Sequence, residues 1–366
     1  MGRGQSPLEA VAMMADFLDF YRGRRVLVTG HTGFKGAWLC RILSHLGARV
    51  TGYSLEPKTT PSLFEILKNT DQTHTVYGDI RDSRRLYEVF GAARPEVVFH
   101  LAAQPLVREG YCDPVGTYET NVQGTVNLLE CVRKTGTVRS FLNVTTDKVY
   151  FNREWEWGYR ENDRLCGLDP YSNSKSCAEL VTYSYKQSFL AAQGVAVSTA
   201  RAGNVIGGGD FAPDRIIPDC VRAAVAGEPI VLRNPNATRP YQHVLDPLFA
   251  YLLIAARGYQ SPNLADCYNV GPNDCDCVTN KMLATLLVRA WGGEIPLCTG
   301  SEKGPHEATF LKLDSSRIKK QLGFEPRLGI GEAVELTVAW SKAFYGGLDA
   351  VSVTDQQIDD YIEMIK

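Results

Sequence analysis

Two short runs hold the groups in this sequence best suited to moving protons. In the first, Thr146, Asp147 and Lys148 place a hydroxyl, a carboxyl and an amine on three consecutive residues. In the second, Tyr171 and Lys175 stand four apart, a spacing that brings both side chains to one face of a helix. An ammonium beside a phenol favours the ionised form of a group that titrates near ~10 in water. A tyrosine so placed takes a proton from an alcohol near neutral pH. One such pair is enough for a simple alcohol oxidation. The extra acid and amine point to a longer reaction, with proton traffic at three substrate atoms.

Regular elements have to bring these runs together. Residues 25–29 read as a short buried strand, and 37–46 carry helical apolar spacing that stops at Gly47. Further strands are expected at 48–53, 76–79, 95–101 and 140–145, with helices at 83–90, 118–135 and 171–190. Short apolar strands alternating with helices predict an α/β fold, a Rossmann-type doubly wound parallel sheet covered on both faces. Ligands of such sheets bind beyond the carboxyl ends of the strands. Gly30, the run from Leu101 to Gln104 and the run from Thr145 to Lys148 all fall there. From about Ala200 the alternation breaks down, although a helix at 244–257 and a strand at 266–270 return. We therefore expect an N-terminal extension over 1–21 and a dinucleotide-binding domain over 22–200, with returning segments about 241–270. A smaller, interleaved α/β substrate region is expected over 201–366.

Composition narrows the class. The chain has 366 residues and is 44% hydrophobic, enough for a sizeable core. Lys plus Arg is 39 and Asp plus Glu is 41, a net charge of 39 − 41 = −2, which is not the footprint of a nucleic-acid binder. No run reaches the ~18 apolar residues of a membrane span. Ten scattered cysteines read as free thiols in a reducing cytoplasm, and none of their spacings repeats as a metal-ligand set. Residues 1–6 fit a short myristoylation pattern; a packing or oligomer helix is the simpler reading of 1–21.

Gly30, Gly33 and Gly36 join the first strand to the first helix. Glycines there let the backbone turn tightly and approach a pyrophosphate at a helix N-terminus. Thr32, Phe34 and Lys35 share that loop, and Lys35 is either a charge for phosphate or a solvated lysine. The second strand ends at Ser54 with neither the acid that grips a ribose nor an arginine for a 2′-phosphate. Local chemistry thus leaves NAD and NADP open. Asp79 and Ile80 follow the third strand, as adenine contacts or as a cap.

The glycine pattern, Leu101-Ala102-Ala103, Asn121 and Tyr171-x-x-x-Lys175 together resemble the extended short-chain dehydrogenase/reductase family from about residue 24 to 340. More narrowly, Thr146-Asp147-Lys148 and the stretches 153–162, 169–175, 201–210 and 239–244 are similar to nucleotide-sugar 4,6-dehydratases of the CDP-glucose branch. The resemblance implies an NAD-dependent internal oxidation–reduction in deoxysugar biosynthesis. By it, Tyr171 removes the sugar 4-hydroxyl proton, Lys175 lowers the pKa of Tyr171 and holds the nicotinamide ribose, and Thr146 bonds the 4-oxygen. Water then leaves across C5 and C6, and hydride returns to C6. The dTDP-linked relatives carry Asp-Glu at positions 147–148. Here Lys148 becomes the base and Asp147 the acid, which requires a depressed lysine pKa; a surface ion pair is the other reading, and the division of labour stays open.

The resemblance also assigns Leu101, Ala102 and Ala103 to the cofactor, and Gln104, Asn204, Arg215, Arg239, Asn269 and His306 to the sugar nucleotide. It implies a homodimer or homotetramer built on the helices at 118–135 and 171–190. His100 reads as a core histidine, and Asn121 either orients Lys175 or is structural. Two other functions compete: another sugar-nucleotide dehydratase, 4-epimerase or reductase of this fold, which has no evident use for Asp147-Lys148 if it does not dehydrate, and a non-catalytic dinucleotide sensor, which has no use for Tyr171 and Lys175.

Overall fold

The computed structural model describes residues 17–69, 73–300 and 308–366. Strands β1 (Arg25–Thr29), β2 (Arg49–Ser54), β3 (Thr73–Tyr77), β4 (Val97–His100), β5 (Ser140–Val144), β6 (Ala196–Ala202) and β7 (Cys267–Val270) form one sheet, ordered β7-β6-β5-β4-β1-β2-β3. Every neighbouring pair is parallel. The order reverses between β1 and β4, which opens the crevice where such sheets take ligands. Strands β4, β5 and β6 are buried along their whole length, because helices cover both faces. Trp38, Ile42 and Leu43 of the Phe34–His45 helix pack on one face with the Leu245–Gln260 helix. Leu86, Phe90, Leu128 and Val132 pack on the other.

The doubly wound sheet expected from the alternation is present, with several changes. First, β6 was not anticipated, and a boundary at 200/201 cuts through it. Its sequence hides a buried strand because Thr199 and Arg201 point at a buried carboxylate, Glu179. Second, residues 17–21 are core rather than extension. Phe17 and Tyr21 are fully buried, and the Tyr21 hydroxyl donates to the Leu252 carbonyl at 2.7 Å. Residues 1–16 lie outside the described residues. Third, β3 ends at Tyr77, short of the expected 79, because Asp79 opens a turn by accepting the Arg81 N–H at 2.8 Å.

The Leu245–Gln260 helix is buried from Leu245 through Gly258, as an all-round apolar helix must be. The sheet lies on one side. On another lies the Ala350–Ile365 helix, whose Tyr361 packs on Phe249 with ring centroids 4.6 Å apart and donates to Asp246 Oδ1 at 2.7 Å. So the C-terminal segment rejoins the large core instead of staying with the substrate region.

That region has a core of its own. The Ile216–Ala226, Asn280–Trp291 and Ile330–Tyr345 helices bury Ile217, Leu283, Leu287 and Val334 together. Short strand pairs frame it: Ile230–Leu232 with Leu297–Thr299, and Thr238–Pro240 with Cys277–Thr279. Among the described residues no group of three His, Cys, Asp or Glu is gathered as a metal would need.

Candidate active site

A cavity of about 1500 Å³ runs between the carboxyl ends of the sheet and the substrate region. Phe34, Lys35, Leu101, Ala103, Thr146, Lys148, Tyr171 and Lys175 line it on the sheet side. Asn204, Arg215, Arg233 and Arg239 line it on the other.

The helix with the tyrosine starts where its sequence says it should. Asp169 is the N-cap, its carboxylate accepting the Ser172 N–H at 3.0 Å, and Pro170 occupies the first helical position. Tyr171 and Lys175 then share one face. Thr146 caps the short turn Asp147–Val149, accepting the Lys148 N–H at 3.4 Å. Its hydroxyl donates to Asp147 Oδ1 at 3.0 Å and lies beside the Tyr171 phenol, whose pKa it lowers. One hydroxyl therefore stands between the phenol and the carboxylate. Asp147 is fully buried, and its Oδ1 also accepts Lys148 Nζ at 3.0 Å. Asp147 Oδ2 has no partner. Lys148 Nζ reaches Asn204 Oδ1 at 3.4 Å, which ties the pair to the substrate side.

The electrostatics correct one expectation. Burial pushes Tyr171 up to about 12, against the Thr146 hydrogen bond and the Arg215 charge. Lys175 does not lower it here: its ammonium donates to the Val144 carbonyl at 2.9 Å, and burial pushes Lys175 itself down to about 8, opposed by Glu179. Lys35 lines the cavity and is buried, not the solvated lysine of the second reading. It faces the Tyr251 ring at 5.8 Å. Burial, helped by Arg215, Lys175 and Lys148 and opposed by Asp147, brings it down to about 7.

The glycine loop forms a backbone cradle. Gly30 has φ +73°, and a Cβ on it would meet the Ala102 nitrogen at 2.7 Å. A Cβ on Gly36 would meet the Gly30 carbonyl oxygen at 2.1 Å. Both positions therefore require glycine. Gly33 is the N-cap of the Phe34–His45 helix, whose N-terminus suits a phosphate. Beyond the cradle, Thr32 bonds Ser54 Oγ and the Leu55 carbonyl, both at 2.9 Å, so Ser54 is already engaged. The Asp79 carboxylate pairs with Arg81 at 2.7 Å, which holds it below the usual carboxylate range; the helix that follows is capped by Asp82 instead. Ile80 is buried against Gly124.

Two expected substrate contacts lie elsewhere. Gln104 turns its amide inward, accepting the Leu106 N–H at 2.6 Å and donating to Thr117 Oγ1 at 2.9 Å. Asn269 is fully buried and away from the cavity wall. It accepts the Tyr150 hydroxyl at 2.6 Å and donates to the Tyr159 and Asp314 carbonyls at 2.7 and 3.0 Å. His306 lies outside the described residues. Asn121 sits in a π turn, Glu119–Gln123, bonding both backbone groups of Gln104 and Ser174 Oγ. It ties the loop after β4 to the tyrosine helix. His100 is a core histidine, bonded to Thr29 and Thr125.

Cations crowd the substrate side. Arg215 pairs with Asp210 at 3.2 Å. Arg239, largely buried, donates to the Thr238 carbonyl at 2.9 Å and to the Ala308 carbonyl. Arg108 and Arg233, both unanticipated, share Asp214 at 3.5 and 2.5 Å. They sit in stretches without periodic signal. Four arginines lining one cavity suit a diphosphate.

The model of the GDP-mannose 4,6-dehydratase family matches residues 27–337. The CDP-glucose 4,6-dehydratase of Salmonella typhimurium is 46% identical over 350 residues, 94% of this chain and 98% of that protein. The dTDP-glucose 4,6-dehydratase of Streptomyces griseus is 29% identical over 323 residues, 86% of this chain and 93% of that one. Among solved structures, the dTDP-glucose 4,6-dehydratase DesIV of Streptomyces venezuelae, with NAD and TYD bound, superposes with a TM-score of 0.75 at 25% identity. It covers 89% of this chain and 99% of its own.

Proposed function

The chain belongs to the GDP-mannose 4,6-dehydratase family, and from that premise we propose that it converts CDP-glucose to CDP-4-dehydro-6-deoxyglucose with NAD. The observation that carries this reading is the pairing of buried Asp147 with Lys148 at 3.0 Å, one hydroxyl away from Tyr171. A 4-epimerase or reductase of this fold uses the phenol and Lys175 but has no task for a second acid–base pair. The cradle at Gly30 and Gly36 and the helix N-terminus at Gly33 fit a dinucleotide. NAD, when bound, supplies the acceptor for hydride from C4 and its return to C6.

The residues divide the proton work. Tyr171 takes the proton of the 4-hydroxyl, with Thr146 bonding the developing phenolate. A ketone at C4 acidifies the proton on C5. Lys148, on the cavity wall, removes that proton, and Asp147, buried behind the wall, protonates the departing 6-hydroxyl through the Thr146 hydroxyl bonded to it. For this the amine must be neutral and the carboxyl protonated. The pair meets both needs by moving one shared proton along the 3.0 Å bond from Nζ to Oδ1, with no change in its total charge. Arg108, Arg215, Arg233 and Arg239 hold the diphosphate, and Asn204 steadies Lys148.

Exposed Leu180 and Tyr183, on the helix behind Tyr171, offer apolar surface for a second copy, which supports a homo-oligomer. No described helix is long and apolar enough to cross a membrane; with the free cysteines this supports a cytoplasmic enzyme.

The test is incubation with CDP-, dTDP-, UDP- and GDP-glucose, reading the 4-keto product by its absorbance in alkali. Product from CDP-glucose alone is expected. Lys148→Ala should still oxidise C4 but stall elimination, with loss of solvent exchange at C5. Undiminished dehydration by that variant would remove Lys148 from the role of base.

A further inference from the structure

Glu179 is a buried charge for which the reaction has no direct use. It lies four residues beyond Lys175 and eight beyond Tyr171 on the Pro170–Tyr185 helix, so all three share a face. Its carboxylate accepts four hydrogen bonds. Oε1 takes Thr145 Oγ1 at 2.5 Å and Arg201 Nε at 2.9 Å. Oε2 takes Thr199 Oγ1 at 2.9 Å and Arg201 Nη2 at 3.0 Å. Arg201 is as buried as Glu179, each side chain 3% exposed. Burial works against its charge, but Glu179 overrides this and holds its pKa above the ordinary value.

The second fork of Arg201 points back to the catalytic turn. Nη1 donates to the Tyr150 hydroxyl at 2.8 Å and to the Glu161 carbonyl at 2.9 Å, and the guanidinium lies 5.1 Å over the Tyr150 ring. The Tyr150 hydroxyl in turn donates a hydrogen bond to Asn269 Oδ1 at 2.6 Å. Thr145 and Tyr150 bracket residues 146–149. One carboxylate and one guanidinium therefore grip both ends of the segment that holds Thr146, Asp147 and Lys148. A third tie comes from the same helix, Ser176 Oγ to the Val149 carbonyl at 2.8 Å.

We propose that Glu179 and Arg201 are a positioning pair that holds the Thr146-Asp147-Lys148 turn against the helix carrying Tyr171 and Lys175. A buried ion pair is a poor device for stability alone, since well-packed apolar residues of the same volume often serve better. Its use here is geometric. The oxidation set sits on the helix and the elimination set on the turn, and one sugar has to meet both. A planar fork is needed, because a single ammonium cannot reach Glu179 and Tyr150 together. The inference rests on the dehydratase reading, and its test separates the two.

In the free protein, Glu179→Gln should speed amide hydrogen exchange across residues 145–150 by about tenfold or more while leaving the tyrosine helix unchanged. During turnover of CDP-glucose, the same variant should slow elimination about tenfold more than C4 oxidation, so that bound NADH accumulates, with KM nearly constant. Arg201→Lys should reproduce both effects. If Glu179→Gln does not fold, Tyr150→Phe, which cuts the link from Arg201 to the far end of the turn together with the bond to Asn269, carries the test. Equal loss of both steps, or unaltered exchange over 145–150, would overturn the proposal. Absence of 4-keto product from the unmodified protein would instead defeat the dehydratase reading, and the exchange measurement would still decide the pair.

Discussion

Thr146→Val tests how the site copes with a phenol held at about 12 by burial. The residue is extended, with φ −149° and ψ 158°, a conformation that suits β-branched valine, so the turn should survive. What disappears is the hydroxyl that stands between the Tyr171 phenol and Asp147. A hydrogen bond to a charged group contributes about 1.5–3 kcal/mol. At 1.36 kcal/mol per unit, this is roughly 1–2 units of pKa. The sign follows from which form is stabilised. Once the phenol ionises, the Thr146 hydroxyl turns from Asp147 to donate to the phenolate, so its loss raises the pKa of Tyr171 further. Tyr171 works as a base, so the acid limb of log(kcat/KM) against pH should move up by about 1–2 units. Well below that limb, activity should fall roughly 10- to 100-fold and recover as the pH rises. The assay is initial 4-keto sugar formation across a pH series, with Thr146→Ser, which keeps the hydroxyl, as control. A uniform loss at every pH, or a serine variant as impaired as valine, would refute the argument.

Two further substitutions separate packing from recognition. Asn269→Ala removes three hydrogen bonds, to the Tyr150 hydroxyl and to the Tyr159 and Asp314 carbonyls, although the first two groups keep Arg201 and the Asp314 N–H as partners; at about 0.5–1.5 kcal/mol for each bond, the melting temperature should drop by several degrees while KM for CDP-glucose holds. A large rise in KM at unchanged melting temperature would restore Asn269 to the substrate site. Arg233→Ala should raise KM about tenfold with kcat nearly intact, as loss of uniform binding does, and added salt should narrow the gap between variant and parent; a fall in kcat alone would count against a diphosphate role.

The groups that move protons were legible because their signals are local. A four-residue spacing on a helix and three consecutive polar residues after a strand hardly depend on the rest of the chain. Strands β1 and β5 fall within a residue of where apolar runs bounded by turn signals put them. The glycine cradle was legible for the same reason. What stayed hidden depends on partners far along the chain. β6 carries Thr199 and Arg201 in a buried strand because Glu179 waits twenty residues upstream. The family resemblance assigned Asn269 to the ligand, and nothing nearby in the sequence shows that Tyr150 covers it. Arg108 and Arg233 belong to one wall only because Asp214 gathers them. The pKa expectation for Tyr171 failed similarly: spacing showed an ammonium nearby but not the Val144 carbonyl that claims it.

The burial of the Leu245–Gln260 helix also bears on how the polypeptide is made. That helix leaves the ribosome well before residues 350–365, which cover its outer side through Ile358 and Tyr361. Until they follow, the nascent chain displays a ridge around Phe249 and Leu253 with no lid over it. The β1–β6 portion is then complete in strands but not in insulation. Synthesis thus passes through a stage at which the growing protein is prone to stick to its neighbours, and final closure of the large domain waits on a segment that contributes nothing to catalysis.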